Sequence, residues 1–359
     1  MKTPASFHWI SFVAFLLAHM ASAAESGLVD DRNLSIQSSS DATRTRERLI
    51  RFVWGAKDLP TTQPVLVNRG VPGPIPGVEN IDRVDALQVV MECGQQTVTY
   101  HFIPQKPNRR LVIVHQGHAC ELDNYGVGDL IRDLLREGYS VLAAYMPKCR
   151  PGDCPGSCTA QHNDMFKSLR PAAGSPMKFF LEPIAVSLNY LASRHRAGAF
   201  PRYRDFHLAG LSGGGWTTTV YAALDPRIKS SFPVAGTLPL HLRSGGSVGD
   251  FEQMLPEFYR IAGYPDLYVL GSIDRGRLQV QILNRKDDCC FGEAQHRGPP
   301  SYDEAVRGYE WQVQAILLQM RPRSGTFRVE IDETAPSHLI SPHASRDIIL
   351  HELSQQRDR

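Results

Sequence analysis

The sequence predicts an α/β fold in which a mostly parallel sheet is covered by helices on both faces. Three observations carry that prediction. From residue 84 onward, short apolar runs of strand length alternate with longer helix-like runs. The run Leu111-Val112-Ile113-Val114 is apolar without a break, as strands are when a parallel sheet buries them on both faces. An antiparallel hairpin precedes the alternating part, so the sheet is expected to be mostly rather than wholly parallel.

The elements follow in order. Segments 84–92 and 97–103 flank the turn Cys93-Gly94-Gln95-Gln96 and form the hairpin. After strand 111–114 comes a helix at 129–136, whose apolar stripe is Leu130, Ile131, Leu134 and Leu135. Strand 141–146, helix 179–192, strand 206–209, helix 216–224 and strand 229–234 continue the alternation. Strand 278–283, helix 302–320, strand 326–332 and a last helix after Pro342 complete it. Two insertions, 147–177 and 236–276, interrupt the rhythm after strands, where the substrate loops of such sheets lie.

Residues 1–23 read as a secretory signal, with Lys2 as the positive start, 10–18 as the apolar segment and Ala21-Ser22-Ala23 as the cleavage site. A membrane helix needs roughly 20 apolar residues, about twice what this segment offers. The mature chain is expected to begin near Ala24 and to be secreted or periplasmic, with no membrane insertion after cleavage. Residues 24–83 are a leader and N-terminal extension: 24–45 polar and loose, a short helical stretch around Leu49 and Val53, and a Pro/Gly-rich connection over 60–80. The main domain then occupies 84–359.

The 359 residues are 42% hydrophobic and 21% charged, which excludes disorder and collagen-like structure. With 39 Lys and Arg against 37 Asp and Glu, the formal charge of +2 gives no surplus for tracking phosphates, so no nucleic-acid partner is expected. Export makes the seven cysteines a disulfide question. Cys149, Cys154 and Cys158 share one Pro/Gly-rich loop and should contain a disulfide. Their spacing lacks the paired form of a zinc site and no His lies among them, so no metal is expected there. Cys289 and Cys290 are adjacent, too close for an ordinary pair, so at least one should bond elsewhere and brace its loop; Cys93 and Cys120 stand alone.

The chemistry is carried by Gly210-Leu211-Ser212-Gly213-Gly214, a Gly-x-Ser-x-Gly string between an apolar strand and a helix-like run. A serine at the tip of such a sharp turn needs small residues two positions either side, so that strand and helix can pass. Its position after the fifth strand distinguishes it from a chance match, and no Lys follows to make it a phosphate loop. A serine that attacks a carbonyl also needs an oxyanion site. His115-Gln116-Gly117-His118 follows the first parallel strand and can supply one backbone N–H near His118, with the N–H of Gly213 as the second. The side chains of His115 and His118 are read as loop residues that pack or bond locally rather than as direct participants.

With the Ser212 elbow, the His-Gln-Gly-His turn and the late Asp and His residues, the sequence resembles the α/β-hydrolase superfamily over about residues 84–355. The resemblance implies the order nucleophile, acid, histidine, with the acid after strand 278–283 and the base after strand 326–332. Asp287 and Asp288 are the acid candidates, and His338 and His343 the base candidates. Asn284-Arg285-Lys286-Asp287 resembles the strand-end turn that carries the acid in this superfamily, which favours Asp287. Ser341-Pro342 reads as a helix start, so His343 falls in a first turn where the dipole opposes an imidazolium, which favours His338. Roughly fifty residues separate acid and base, which implies an extra helix or excursion between them.

The expected activity is hydrolysis of an ester or related acyl compound, small or polymer-borne, through an acyl-enzyme on Ser212, with no metal or organic cofactor. A peptidase on the same fold and an inactive binding protein are the alternatives. Trp216, Tyr125, Phe166 and His162 are candidates for the pocket wall.

Overall fold

The computed structural model describes residues 28–149, 158–193, 200–243, 249–296, 298–320 and 325–356, so the expected signal segment and Cys154 lie outside the described residues. Strands β1 (Leu66–Arg69), β2 (Ile81–Val90), β3 (Gln96–Pro104), β4 (Arg110–His115), β5 (Ser140–Ala144), β6 (Asp205–Leu211), β7 (Ile228–Val234), β8 (Leu278–Asn284) and β9 (Thr326–Asp332) form one sheet. Its order is β1-β2-β3-β5-β4-β6-β7-β8-β9. Pairing is antiparallel from β1 through β5 and parallel from β5 across to β9, so the predicted hairpin sits on one side of a parallel sheet.

Strand β4 shows why its continuous apolar run was needed: all six of its residues are buried. Leu111 and Ile113 join one core while Val112 and Val114 join the other, because successive side chains leave a strand on opposite faces. The first core is built on helices α1 (Ser39–Trp54), α4 (Lys178–Leu191), α5 (Gly213–Leu224), α7 (Tyr264–Ser272) and α8 (Tyr302–Gln319). The second takes α2 (Val127–Arg136) and the C-terminal segment, a wide-turn π-helix His343–Leu350 continued by α9 (His351–Gln355).

The N-terminal extension departs from expectation. Helix α1 begins at Ser39, inside the stretch expected to be loose, with Ser38 as its N-cap. Ala42, Leu49, Ile50 and Val53 put its apolar face into the first core. Buried Asp31 accepts from the backbone of Leu240 and His241, which ties the extension to the second insertion. The Pro/Gly-rich connection also contributes β1 to the sheet edge.

The insertions hold short helices: α3 (Thr159–Ser168) in the first, and α6 (Pro256–Tyr259) with α7 in the second. A disulfide joins Cys149 to Cys158. No described helix is long and apolar enough to cross a membrane.

Candidate active site

Ser212 sits between the end of β6 and the start of α5 with φ 57° and ψ −124°. A side-chain-bearing residue pays roughly 1–3 kcal/mol to hold such a conformation, which the sheet and helix on either side enforce. Close approach explains the flanking glycines. A Cβ on Gly210 would stand 2.3 Å from the carbonyl oxygen of Gly214, and one on Gly214 would stand 2.1 Å from that of His115. Helix α5 is buried along its whole length, so the elbow cannot relax outward.

Beyond β8, Asp287 is buried and His338 follows β9. His338 Nδ1 lies 2.8 Å from Asp287 Oδ2, although 51 residues separate them in the chain. Asp287 Oδ1 accepts the backbone N–H groups of Cys289 and Cys290, each at 2.8 Å. Those bonds orient the carboxylate, so that it points one oxygen at the imidazole. Helix α8 fills the long interval between acid and base. Burial pushes the His338 imidazole down, but the hydrogen bond and charge of Asp287 outweigh it and hold the ring above its ordinary value. Its Nε2 is buried and has no hydrogen-bond partner among the described residues.

Ser212 and His338 line one cavity of about 560 Å³ together with Gly117, His118, Tyr125 and Asp250. Asp288 and the two adjacent cysteines are also on its wall. The other triad candidates are placed differently. Asp288 is exposed, and His343 is 42% exposed and paired with Asp347 at 2.9 Å on its own helix.

On the oxyanion side, the loop after β4 lies directly against the elbow: a Cβ on Gly117 would be 2.7 Å from Ser212 Cβ and 3.3 Å from the nitrogen of Gly213. His118 is packed over Gly213, where an added Cβ would stand 2.6 Å from its Cε1. Its Nε2 faces Glu252 Oε1 at 3.1 Å and Asp250 Oδ2 at 3.3 Å. Burial again pushes this ring down, and Glu252 and Asp250 raise it above its ordinary value.

Three sequence readings need correction. Of the proposed wall residues only Tyr125 lines the cavity; Trp216 is fully buried and donates to Tyr259, Phe166 stacks on Phe180, and His162 is buried beside Glu252. The adjacent cysteines approach each other, with Sγ atoms 2.7 Å apart, and the acid loop is braced by Arg285, which pairs with Glu293, Asp303 and Glu333. A cysteine bonded elsewhere is not needed for that. The side chain of His118 also does more than pack, since it is gripped by the second insertion. Glu252 and Asp250 gave no signal in the sequence, because nothing periodic marks an acidic residue that folds back over a distant turn.

Among solved structures, a glucuronoyl esterase from Teredinibacter turnerae T7901 matches with a TM-score of 0.56, 11% identity, 94% of this chain and 99% of that one. A Bacteroides fragilis NCTC 9343 protein, described provisionally as an acetyl xylan esterase, matches at 0.56 and 11% identity over 89% of this chain and 87% of that one. The methylesterase BT1017 matches at 0.54 and 12% identity over 96% and 68%. No family model and no curated protein matches the sequence. The chain has the α/β-hydrolase fold, as the resemblance of its motifs implied.

Proposed function

We propose that the protein is a carboxylic-ester hydrolase that works through an acyl-enzyme on Ser212. The observation that carries this reading is the buried, unpartnered Nε2 of His338, whose ring is fixed by Asp287 through Nδ1 and whose residue lines the same cavity as Ser212. In that reading His338 takes the Ser212 proton as Oγ attacks the acyl carbon, and Asp287 stabilises the imidazolium. The oxyanion is received by the backbone N–H groups of Gly213 and His118. His338 then protonates the leaving alcohol, and a water activated by the same ring releases the acid. No organic cofactor takes part in these steps.

The substrate is an acyl compound, small or carried on a polymer, whose ester reaches an open cavity rather than a membrane. The sequence signal, together with the Cys149–Cys158 disulfide, supports a secreted or periplasmic site of action. A fluorophosphonate probe should label the mature protein at Ser212, and Ser212→Ala should lose both labelling and at least about 10⁴-fold in turnover. The panel for that assay is methyl, acetyl, longer-acyl, feruloyl and peptidyl substrates; turnover of the amide alone would move the reading to a peptidase. A folded protein that neither reacts with the probe nor cleaves any member would overturn the proposal.

A further inference from the structure

The two insertions and the oxyanion loop meet at a cluster that the hydrolytic steps do not use. His118 comes from the loop after β4, His162 from α3 in the first insertion, and Glu252 from the second. One potential ligand atom from each lies within 4.8 Å of the others. Glu252 and His162 are fully buried.

The hydrogen bonding of this cluster is incomplete in a specific way. His162 Nε2 lies 2.7 Å from the carbonyl oxygen of Pro147, which can only accept, so Nε2 carries the hydrogen. Its Nδ1 is turned toward Glu252 Oε1 at 3.4 Å and makes no hydrogen bond. Glu252 Oε2 is buried and likewise has none. His162 thus turns a ring nitrogen without a hydrogen-bond partner toward a carboxylate, and Asp250 Oδ2 stands 3.3 Å from His118 Nε2. One buried carboxylate and two ring nitrogens converge where a cation is the natural complement.

The spacing agrees with this. Zinc bonds of about 2.0–2.1 Å arranged tetrahedrally place neighbouring ligand atoms about 3.3 Å apart. Glu252 Oε1 lies 3.1 Å from His118 Nε2 and 3.4 Å from His162 Nδ1, two edges of that size. A metal-bound histidine commonly donates its other N–H to a backbone carbonyl, as His162 does to Pro147.

We propose that His118 Nε2, His162 Nδ1 and Glu252 form a binding site for a divalent transition-metal cation, for which the mixed imidazole and carboxylate donors select Zn²⁺. The metal pins both insertions to the loop beside Ser212. Ligation through Nε2 also fixes the hydrogen of His118 on Nδ1, on the ring edge that faces Gly213. Its role is to hold the roof and the oxyanion loop, so it stands apart from the ester-hydrolase reading and is tested by binding.

The mature protein, purified without a metal-chelating tag, is stripped with chelator, dialysed against Zn²⁺ or Co²⁺, and its metal content and binding isotherm measured. The wild type should retain about one equivalent, and Co²⁺ should give a tetrahedral d–d spectrum without the thiolate charge-transfer bands that the Cys289, Cys290 and His338 group would produce. His162→Ala and Glu252→Gln should weaken binding at least about 100-fold, while the double variant Cys289→Ser with Cys290→Ser keeps it. No saturable metal in the wild type overturns the proposal. Thiolate bands, or binding lost in the cysteine variant and retained in Glu252→Gln, also overturn it. The Co²⁺ spectrum needs no variant, so the result stands even where a substitution prevents folding.

Discussion

Two buried histidine and carboxylate pairs flank the same cavity, and they differ in what the carboxylate does with its second oxygen. Asp287 gives Oδ2 to His338 and satisfies Oδ1 with two N–H groups of its own loop. The pair is complete, and His338 Nε2 is left without a partner. Glu252 instead directs Oε1 toward two rings, His118 and His162, and leaves Oε2 without a partner. In both pairs burial alone would strip the charge from the ring, and in both the carboxylate wins. In the proposed reaction the saturated acid supports proton transfer, and in the proposed metal site the shared one supports anchoring.

The largest expected effects test the first pair. His338→Ala and Asp287→Asn should each lower kcat by about 10³- to 10⁴-fold or more, because an Asn in place of the acid leaves the wrong ring nitrogen carrying the hydrogen. Asp288→Asn, in an exposed residue on the cavity rim, should cost less than about tenfold. Steady-state kinetics after a check of folding by circular dichroism decides it, and a severe loss at Asp288 with Asp287 spared would transfer the acid role.

An intermediate effect probes the ground between the pairs. Gly117→Ala puts a methyl against Ser212 Cβ and the nitrogen of Gly213, with backbone rather than a flexible side chain in the way. Displacing the oxyanion loop in this way should reduce kcat about 10²-fold with a smaller change in KM, the usual result of losing one oxyanion donor. An unchanged kcat would separate this loop from the oxyanion site.

How far these features were legible follows the range of the forces behind them. The elbow was readable because its constraint is local: glycines are required within two residues of Ser212. Asp287 and His338 were reachable through the chain order that the α/β-hydrolase resemblance implies and the helix start at Pro342, which puts His343 on an exposed face. Glu252 was not, since it meets His118 across 134 residues of intervening chain and lies in a 3-10 turn without periodicity. Helix α1 had a readable signal in its Ser38 cap, but the polar composition of 24–45 concealed how Ala42 and Leu49 face the core. Tyr125 was found and Trp216 misplaced for the same reason: an aromatic residue is apolar in either setting, and only packing separates wall from core.

The pH profile sharpens the comparison further. His338 must be neutral to accept the Ser212 proton, and Asp287 raises its value, so the acid limb of kcat/KM should lie above the ordinary histidine value of about 6.5. Activity is full above that limb and falls as pH drops through it. In residual Asp287→Asn activity the supporting charge is gone, so the limb should move to lower pH. A limb that stays in place in that variant would assign it to another group.

The smallest effect belongs to a third histidine and carboxylate pair, which lacks what the other two share. His343 and Asp347 are four residues apart on one helix, 42% and 69% exposed, so solvent screens their attraction and no cavity receives the ring. An exposed pair at this spacing contributes about 0.3–0.5 kcal/mol. His343→Ala should therefore shift the unfolding free energy by less than about 0.5 kcal/mol in a urea titration and leave turnover within about twofold. The same change at His338 should leave stability within a few kcal/mol and remove turnover. If His343→Ala instead cost activity on the scale of His338→Ala, burial beside a carboxylate would no longer mark the base, and the distinction drawn between the pairs would fail.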